Sequence, residues 1–184
     1  MKLTTREVTL FAMLGSLMWA SKIIMDLLPN IHLIGVLTIA YTVVYRKKAL
    51  YPLYIFILLT GLLGGFATWW IPYLYVWTVL WAAVMLLPKR IPAKFMPVIY
   101  TLLCGAHGFL YGVIYAPVNA LLYGMSFDGM IAWIAAGLPF DMIHGVSNLI
   151  CSVLIVPIIK ILTMLERQVV KTVPLMADCS ADTK

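Results

Sequence analysis

Asp141, His144 and Asn148 are spaced by three and four residues in "GLPFDMIHGVSNL", so on a helix they share one face. A second set, His107, Tyr111, Tyr115 and Asn119, recurs every fourth residue through "CGAHGFLYGVIYAPVN" and forms a polar-aromatic stripe beside Gly105, Gly108 and Gly112. Two chemistries follow from these residue types. An Asp–His pair suits acid–base work, and His107 or His32 would complete a three-ligand metal set with Asp141 and His144. No nucleophile is arranged nearby, however, and the aromatic density around the histidines fits the binding of an organic molecule better, with no metal expected. The opposing reading is a buried hydrogen-bonded network that only holds helices together.

Aromatic side chains supply the remaining candidates. "GGFATWWIPYLYVWTVLW", residues 64–81, concentrates Trp69, Trp70 and Tyr73 where a membrane interface alone would account for them. Tyr75, Trp77 and Trp81 run deeper, as a wall of stacking surfaces would. "LLPNIHLIG", residues 27–35, adds a turn at Pro29 and Asn30, with Asn30 and His32 facing an outer cavity or capping it. Lys22 and Asp26 stand one turn apart and suit an ion pair at the top of the first helix.

The elements that position these groups follow from composition. The chain of 184 residues is 64% apolar and 11% charged, with a mean hydropathy of +1.01. Those values place it in the membrane class. The formal charge of +6 comes from basic groups at Lys2 and Arg6, at Arg46, Lys47 and Lys48, at Lys89, Arg90 and Lys94, and at Lys160, Arg167 and Lys171. Such groups mark cytoplasmic loops, and the apolar stretches between them, about 40 to 65 residues, each hold a pair of spans of roughly 20. The expected architecture is therefore an all-α, integral membrane bundle of six helices with both termini cytoplasmic. Spans are expected near 7–27, 31–45, 50–68, 71–87, 95–115 and 139–165, and residues 117–138 as an outer lid or interfacial helix.

Several classes drop out. The chain has no H-E-x-x-H, C-x-x-C, G-x-S-x-G or P-loop signature, so an enzyme is not expected, and any ATP hydrolysis belongs to other subunits. Basic residues without an interleaved aromatic surface exclude nucleic acid as a partner. No cleavable signal peptide is evident. Cys104 and Cys151 fall in spans and Cys179 in the tail, so no disulfide framework is expected.

The first span adds a stripe of small residues, Ala12, Ser16 and Ala20, at i, i+4 and i+8. Membrane helices associate by close backbone approach at such positions, which serves either internal packing or a partner. The stripe, the short turn "LPNIHLIG" and a last span opening with "GLPFDMIHGVSN" together resemble the substrate-binding S component of energy-coupling factor (ECF-type ABC) vitamin transporters. The resemblance covers about residues 5–167. It implies a membrane substrate-binding domain over residues 1–170, followed by a short, disordered cytoplasmic tail at 171–184. It also implies residence in the bacterial plasma membrane, and partnership with a transmembrane T component and two cytoplasmic ATPases. Docking to the T component would fall on Ala12, Ser16 and Ala20, Ser16 departing from the commoner alanine. The chain would carry no cofactor of its own but a transported vitamin as ligand, held by residues among Asn30, His32, Trp69, Trp70, Tyr73, Trp77, His107, Tyr111, Asn119, Asp141, His144 and Asn148. Many aromatics and few charges favour cobalamin. Riboflavin, folate or a queuosine-type precursor are the alternatives within the family, and a self-sufficient small-molecule carrier the alternative outside it.

Overall fold

The computed structural model describes the chain except residues 1–2, 26, 28–30, 89–90 and 179–184 and the side chains of 169–178. Within lipid every backbone polar group must be satisfied inside the segment, and the apolar runs answer by forming helices throughout. These are α1 Thr5–Met25, α2 Ile34–Tyr45, α3 Leu50–Gly64, α4 Tyr73–Leu86, α5 Met96–Phe109, α6 Tyr111–Tyr123, α7 Phe127–Cys151 and α8 Ile155–Asp178. Short 3-10 turns at Arg46–Ala49, Thr68–Trp70 and Ser152–Leu154 join or extend them.

Among the described residues five helical runs, not six, are long and apolar enough to cross a membrane: Thr5–Met25, Ile34–Gly64, Thr68–Leu86, Met96–Tyr123 and Phe127–Gln168. The expected second and third spans are a single run. Its arms, α2 of 12 residues and α3 of 15, reach only about 18 and 22 Å at 1.5 Å per residue, short of the ~30 Å hydrocarbon layer. The 3-10 turn at Arg46–Ala49 joins them, and Phe11 meets the rings of both Tyr45 and Tyr51. Arg46 takes a positive φ of 53° there. Its carbonyl accepts from Trp81 Nε1 at 3.1 Å and its guanidinium donates to the Met85 carbonyl at 3.2 Å. A basic triplet that reads as a loop is thus a turn clamped onto α4. The six-helix count is corrected to five spans, and the placement of both termini in the cytoplasm, which rested on that count, falls with it.

The outer lid expected at 117–138 is also absent as a separate element. Residues up to Tyr123 continue α6 through Pro117, and Phe127 opens α7. Gly124, at φ 63° in the left-handed region, ends the first helix. Ser126 starts the second, its Oγ accepting from the Gly129 N–H at 3.1 Å.

Helix α2 lies at the centre, with every residue from Ile34 to Thr42 buried, as a helix apolar on all sides must be. Phe11, Leu14, Gly15 and Met18 form the buried face of α1, and a Cβ at Gly15 would stand 2.7 Å from the Ile55 Cβ. Gly15 is therefore where α1 touches α3, while Ala12 and Ser16 are exposed and Ala20 is half-buried. At the charged end Lys48 pairs with Glu7, Arg6 with Glu166 at 3.2 Å, and the Tyr45 hydroxyl donates to Glu166 at 3.4 Å.

Candidate ligand-binding site

Three helical runs and one connecting segment bring all three histidines of the chain around a single indole. Tyr73 and Trp77 share a face of α4 by their spacing of four, and their rings lie 6.2 Å apart. His107 closes α5 and Tyr111 opens α6, their rings 6.1 Å apart across the Leu110 break. His32, just ahead of α2, sits 5.5 Å from Trp77 and 4.7 Å from His144 of α7. Trp77 lies 5.4 Å from His107 and 6.5 Å from His144, and Tyr111 completes the ring of contacts 4.8 Å from His144.

Close approach of α5 and α7 makes this possible. A Cβ at Gly108 would stand 2.8 Å from the Gly145 Cα and from Asn148 Nδ2, so the backbones touch one residue from both His107 and His144. Asn148 ties the pair by donating from Nδ2 to the Cys104 carbonyl at 3.0 Å, and His107 Nε2 ties α5 to α4 through the Val76 carbonyl at 3.1 Å.

Asp141 has a different task. Both of its oxygens lie 3.1 Å from the Gly112 N–H, one of the amides that α6 leaves without an intrahelical partner where it restarts after Leu110. A Cβ at Gly112 would collide with the carboxylate, so only glycine admits this cap. Asp141→Leu is expected to lower stability by about 1–2 kcal/mol, the usual value of such a cap, and Asp141→Asn by less, because an amide oxygen still accepts. Thermal unfolding in detergent reads the difference; equal damage from both substitutions would speak for a charge-dependent role instead.

The polar atoms of the cluster are its most informative feature. Trp77 Nε1, His107 Nδ1, His144 Nε2, Ser147 Oγ and Asn148 Oδ1 are shielded from solvent and lack a hydrogen-bond partner in the protein. Each such group costs about 1–3 kcal/mol if left so, and five within a few turns of one another demand a reason. Among the described residues, no group of three His, Cys, Asp or Glu side chains is arranged to hold a metal ion.

Of the candidates read from sequence, His32, Tyr73, Trp77, His107, Tyr111 and His144 come together, with Asn148 one turn beyond. Trp69 touches the edge of the group, 5.7 Å from Tyr73. Trp70 does not join it: its Nε1 donates to the Ile57 carbonyl at 2.8 Å and its ring meets Phe66, so it braces α3 against α4. Asn119 is buried two turns further along α6. Asn30 and Asp26 lie outside the described residues. Ser147 and Trp133 are members that spacing alone did not single out. Trp133 stacks on Tyr115 at 5.9 Å and 16°, extending the aromatic ladder from Tyr111 onto α7, and Ser147 is three residues from His144, a spacing that marks it as a neighbour on the same face.

The chain matches no protein-family model, curated protein or solved structure. What stands without them is a multi-pass, all-α membrane protein of transport-type build, consistent with the plasma membrane, with a buried aromatic and histidine site between its helices.

Proposed function

We propose that this chain is the substrate-binding S component of an energy-coupling factor importer for a vitamin or cofactor precursor, with the Trp77 cluster as its receptor site. The observation that carries the reading is the group of five sealed polar atoms without partners at Trp77, His107, His144, Ser147 and Asn148. Aromatic faces with a few convergent polar atoms are what a small organic ligand needs, and a ligand would satisfy groups that the protein leaves unsatisfied.

Position supports the same reading. His32 precedes α2 and Arg46 follows it, so the site lies about 18 Å, one α2 length, from the end that carries Arg6, Arg46, Lys47 and Lys48. The site is thus set well apart from the basic end of the bundle. Asp141 is engaged as a helix cap, which supports a structural role for it beside a binding site.

The small-residue stripe supports a partner. Internal packing of α1 uses Phe11, Leu14, Gly15 and Met18, leaving Ala12 and Ser16 on the outside. Beside them an apolar groove of about 690 Å³ runs between α1 and α8, lined by residues that include Met13, Leu17, Leu162 and Leu165. A T component laid against this face would bring its backbone close at the small positions, and ATP would be hydrolysed by the two ATPases bound to it.

One preparation tests both halves of the reading. Purification of the tagged chain from its native membrane in mild detergent is expected to recover a larger membrane protein and two ATPases, and mass spectrometry of the same sample a bound small molecule. Ala12→Leu with Ser16→Leu is expected to reduce partner recovery by about tenfold, since bulk separates the helices, while the small molecule stays bound. Recovery of the chain alone, with uptake by it in liposomes, would make it a self-sufficient carrier.

A further inference from the structure

Two apolar troughs of nearly equal size run along the surface of the bundle from its basic end, and they differ in charge. The trough between α1 and α8, about 690 Å³, has Arg6 and Glu166 at that end. These two are paired at 3.2 Å, so the trough presents no net charge. The other, about 680 Å³, follows α3 and is lined by Leu50, Tyr51, Tyr54, Ile55 and Leu58, with Lys47 at its basic end. Lys47 is exposed and has no ion-pair or hydrogen-bond partner among the described residues. The described carboxylates of this end are taken, Glu7 by Lys48 and Glu166 by Arg6, while Arg46 donates to the Met85 carbonyl, which is neutral. Two positive charges are therefore left without a counter-ion, and one of them stands over an apolar trough.

The α3 trough is preformed. Leu50, Tyr54 and Leu58 recur every fourth residue and share one face of the helix. The Tyr51 ring stacks on Phe11 of α1 at 5.8 Å and 11°, and the Tyr54 hydroxyl donates to the Leu74 carbonyl of α4 at 3.0 Å, so both rings are pinned to neighbouring helices. From Leu50 to Leu58 the face extends about 12 Å, most of the ~15 Å depth of hydrocarbon in one leaflet. A lysine at the hydrocarbon edge lays its stem along apolar surface and carries its ammonium to headgroup level, where it binds phosphate as a point charge. From this arrangement we propose that the α3 trough is a binding site for an anionic phospholipid. One acyl chain lies along Leu50, Tyr54 and Leu58, and the headgroup phosphate pairs with Lys47. A zwitterionic lipid has a chain of the same fit but carries its own cation beside the phosphate, so Lys47 discriminates by charge. The site is separate from the Trp77 cluster and does not depend on what that cluster binds.

The test holds the full-length protein in nanodiscs of equal parts phosphatidylglycerol and phosphatidylcholine. One lipid or the other carries a photoreactive diazirine in its acyl chain, and peptide mass spectrometry maps the label. Phosphatidylglycerol is expected to label residues 50–58 about fivefold more than phosphatidylcholine, the value of one basic group beside anionic lipid, and the excess to shrink as salt screens it. Lys47→Gln is expected to equalise the two lipids and Lys47→Arg to keep the preference. Leu58→Trp, which fills the far end of the trough, is expected to lower labelling by both. Lys47 and Leu58 are exposed, so these changes leave the packed interior intact. Equal labelling in the parent protein, or a preference that survives Lys47→Gln, overturns the inference and leaves only unselective boundary lipid. Absence of label from both lipids overturns it as well, in favour of a protein contact where native mass spectrometry finds a second copy or another polypeptide on the chain.

Discussion

Trp77→Ala is expected to abolish ligand retention and to lower the unfolding free energy by about 3–5 kcal/mol, the range for deleting a large buried aromatic. Trp77 is 1% exposed, and its ring meets those of His32, Phe56, Tyr73, His107, Tyr111 and His144. Those partners come from every element of the site. Removing the indole deletes one wall of the ligand and the packing that fixes the opposite walls, so affinity should fall by about 100-fold or more, as at a central hot spot. Trp77→Phe separates the two contributions. A phenyl ring preserves much of the packing but lacks the Nε1 donor, so stability should change little and affinity fall about tenfold, the value of one hydrogen bond. Native mass spectrometry of retained ligand and thermal melts in the same detergent measure both. A Phe variant more stable than the parent and equal to it in binding would show that Nε1 faces no ligand.

Much of this site is written into the spacing of its residues. His107 with Tyr111, and Asp141 with His144 and Asn148, fall three or four apart on helices, so periodicity alone places each set on one face, and sparse polarity in an apolar helix turns those faces inward. What periodicity does not contain is the partner across the gap. Asp141 resembles a catalytic acid or metal ligand in sequence, yet its partner is the backbone amide of Gly112, exposed by a helix break at Leu110 that no proline or glycine pair announces. Trp70 stands beside Trp69 in an aromatic-rich segment, but consecutive residues point apart, and only the packing of Phe66 shows that Trp70 turns to α3. Ala12, Ser16 and Ala20 declare a common face without saying what it meets. The span count failed for a related reason: Arg46, Lys47 and Lys48 have the composition of a loop, and the bonds from Trp81 and to Met85 that hold the turn in place come from residues more than 30 positions away. The lid at 117–138 failed because Gly124 and Ser126 make a connection of only three residues between two long helices, too little chain to close over anything.

Gly145→Ala is expected to weaken both the fold and the site, whereas Gly137→Ala, the same change two turns earlier in α7, is expected to do neither. A Cβ at Gly145 would enter the Phe109 ring, and one at Gly108 would stand 2.8 Å from the Gly145 Cα. The added methyl has to push α5 from α7, and such overpacking costs about 1–3 kcal/mol. Because His107 rides on α5 and His144 on α7, any separation also widens the space between the two histidines and Trp77. Affinity should therefore drop with stability, by roughly tenfold for about 1.4 kcal/mol of lost contact. At Gly137 a Cβ would meet nothing within 4 Å, and alanine is the better helix former by about 0.5–1 kcal/mol, so the melt should hold or rise with binding unchanged. The contrast isolates helix approach from helix propensity. If both variants melted and bound alike, the glycine contact between α5 and α7 would not be what brings the histidines together, and the site would owe its geometry to α4 and to the ring packing of Trp77.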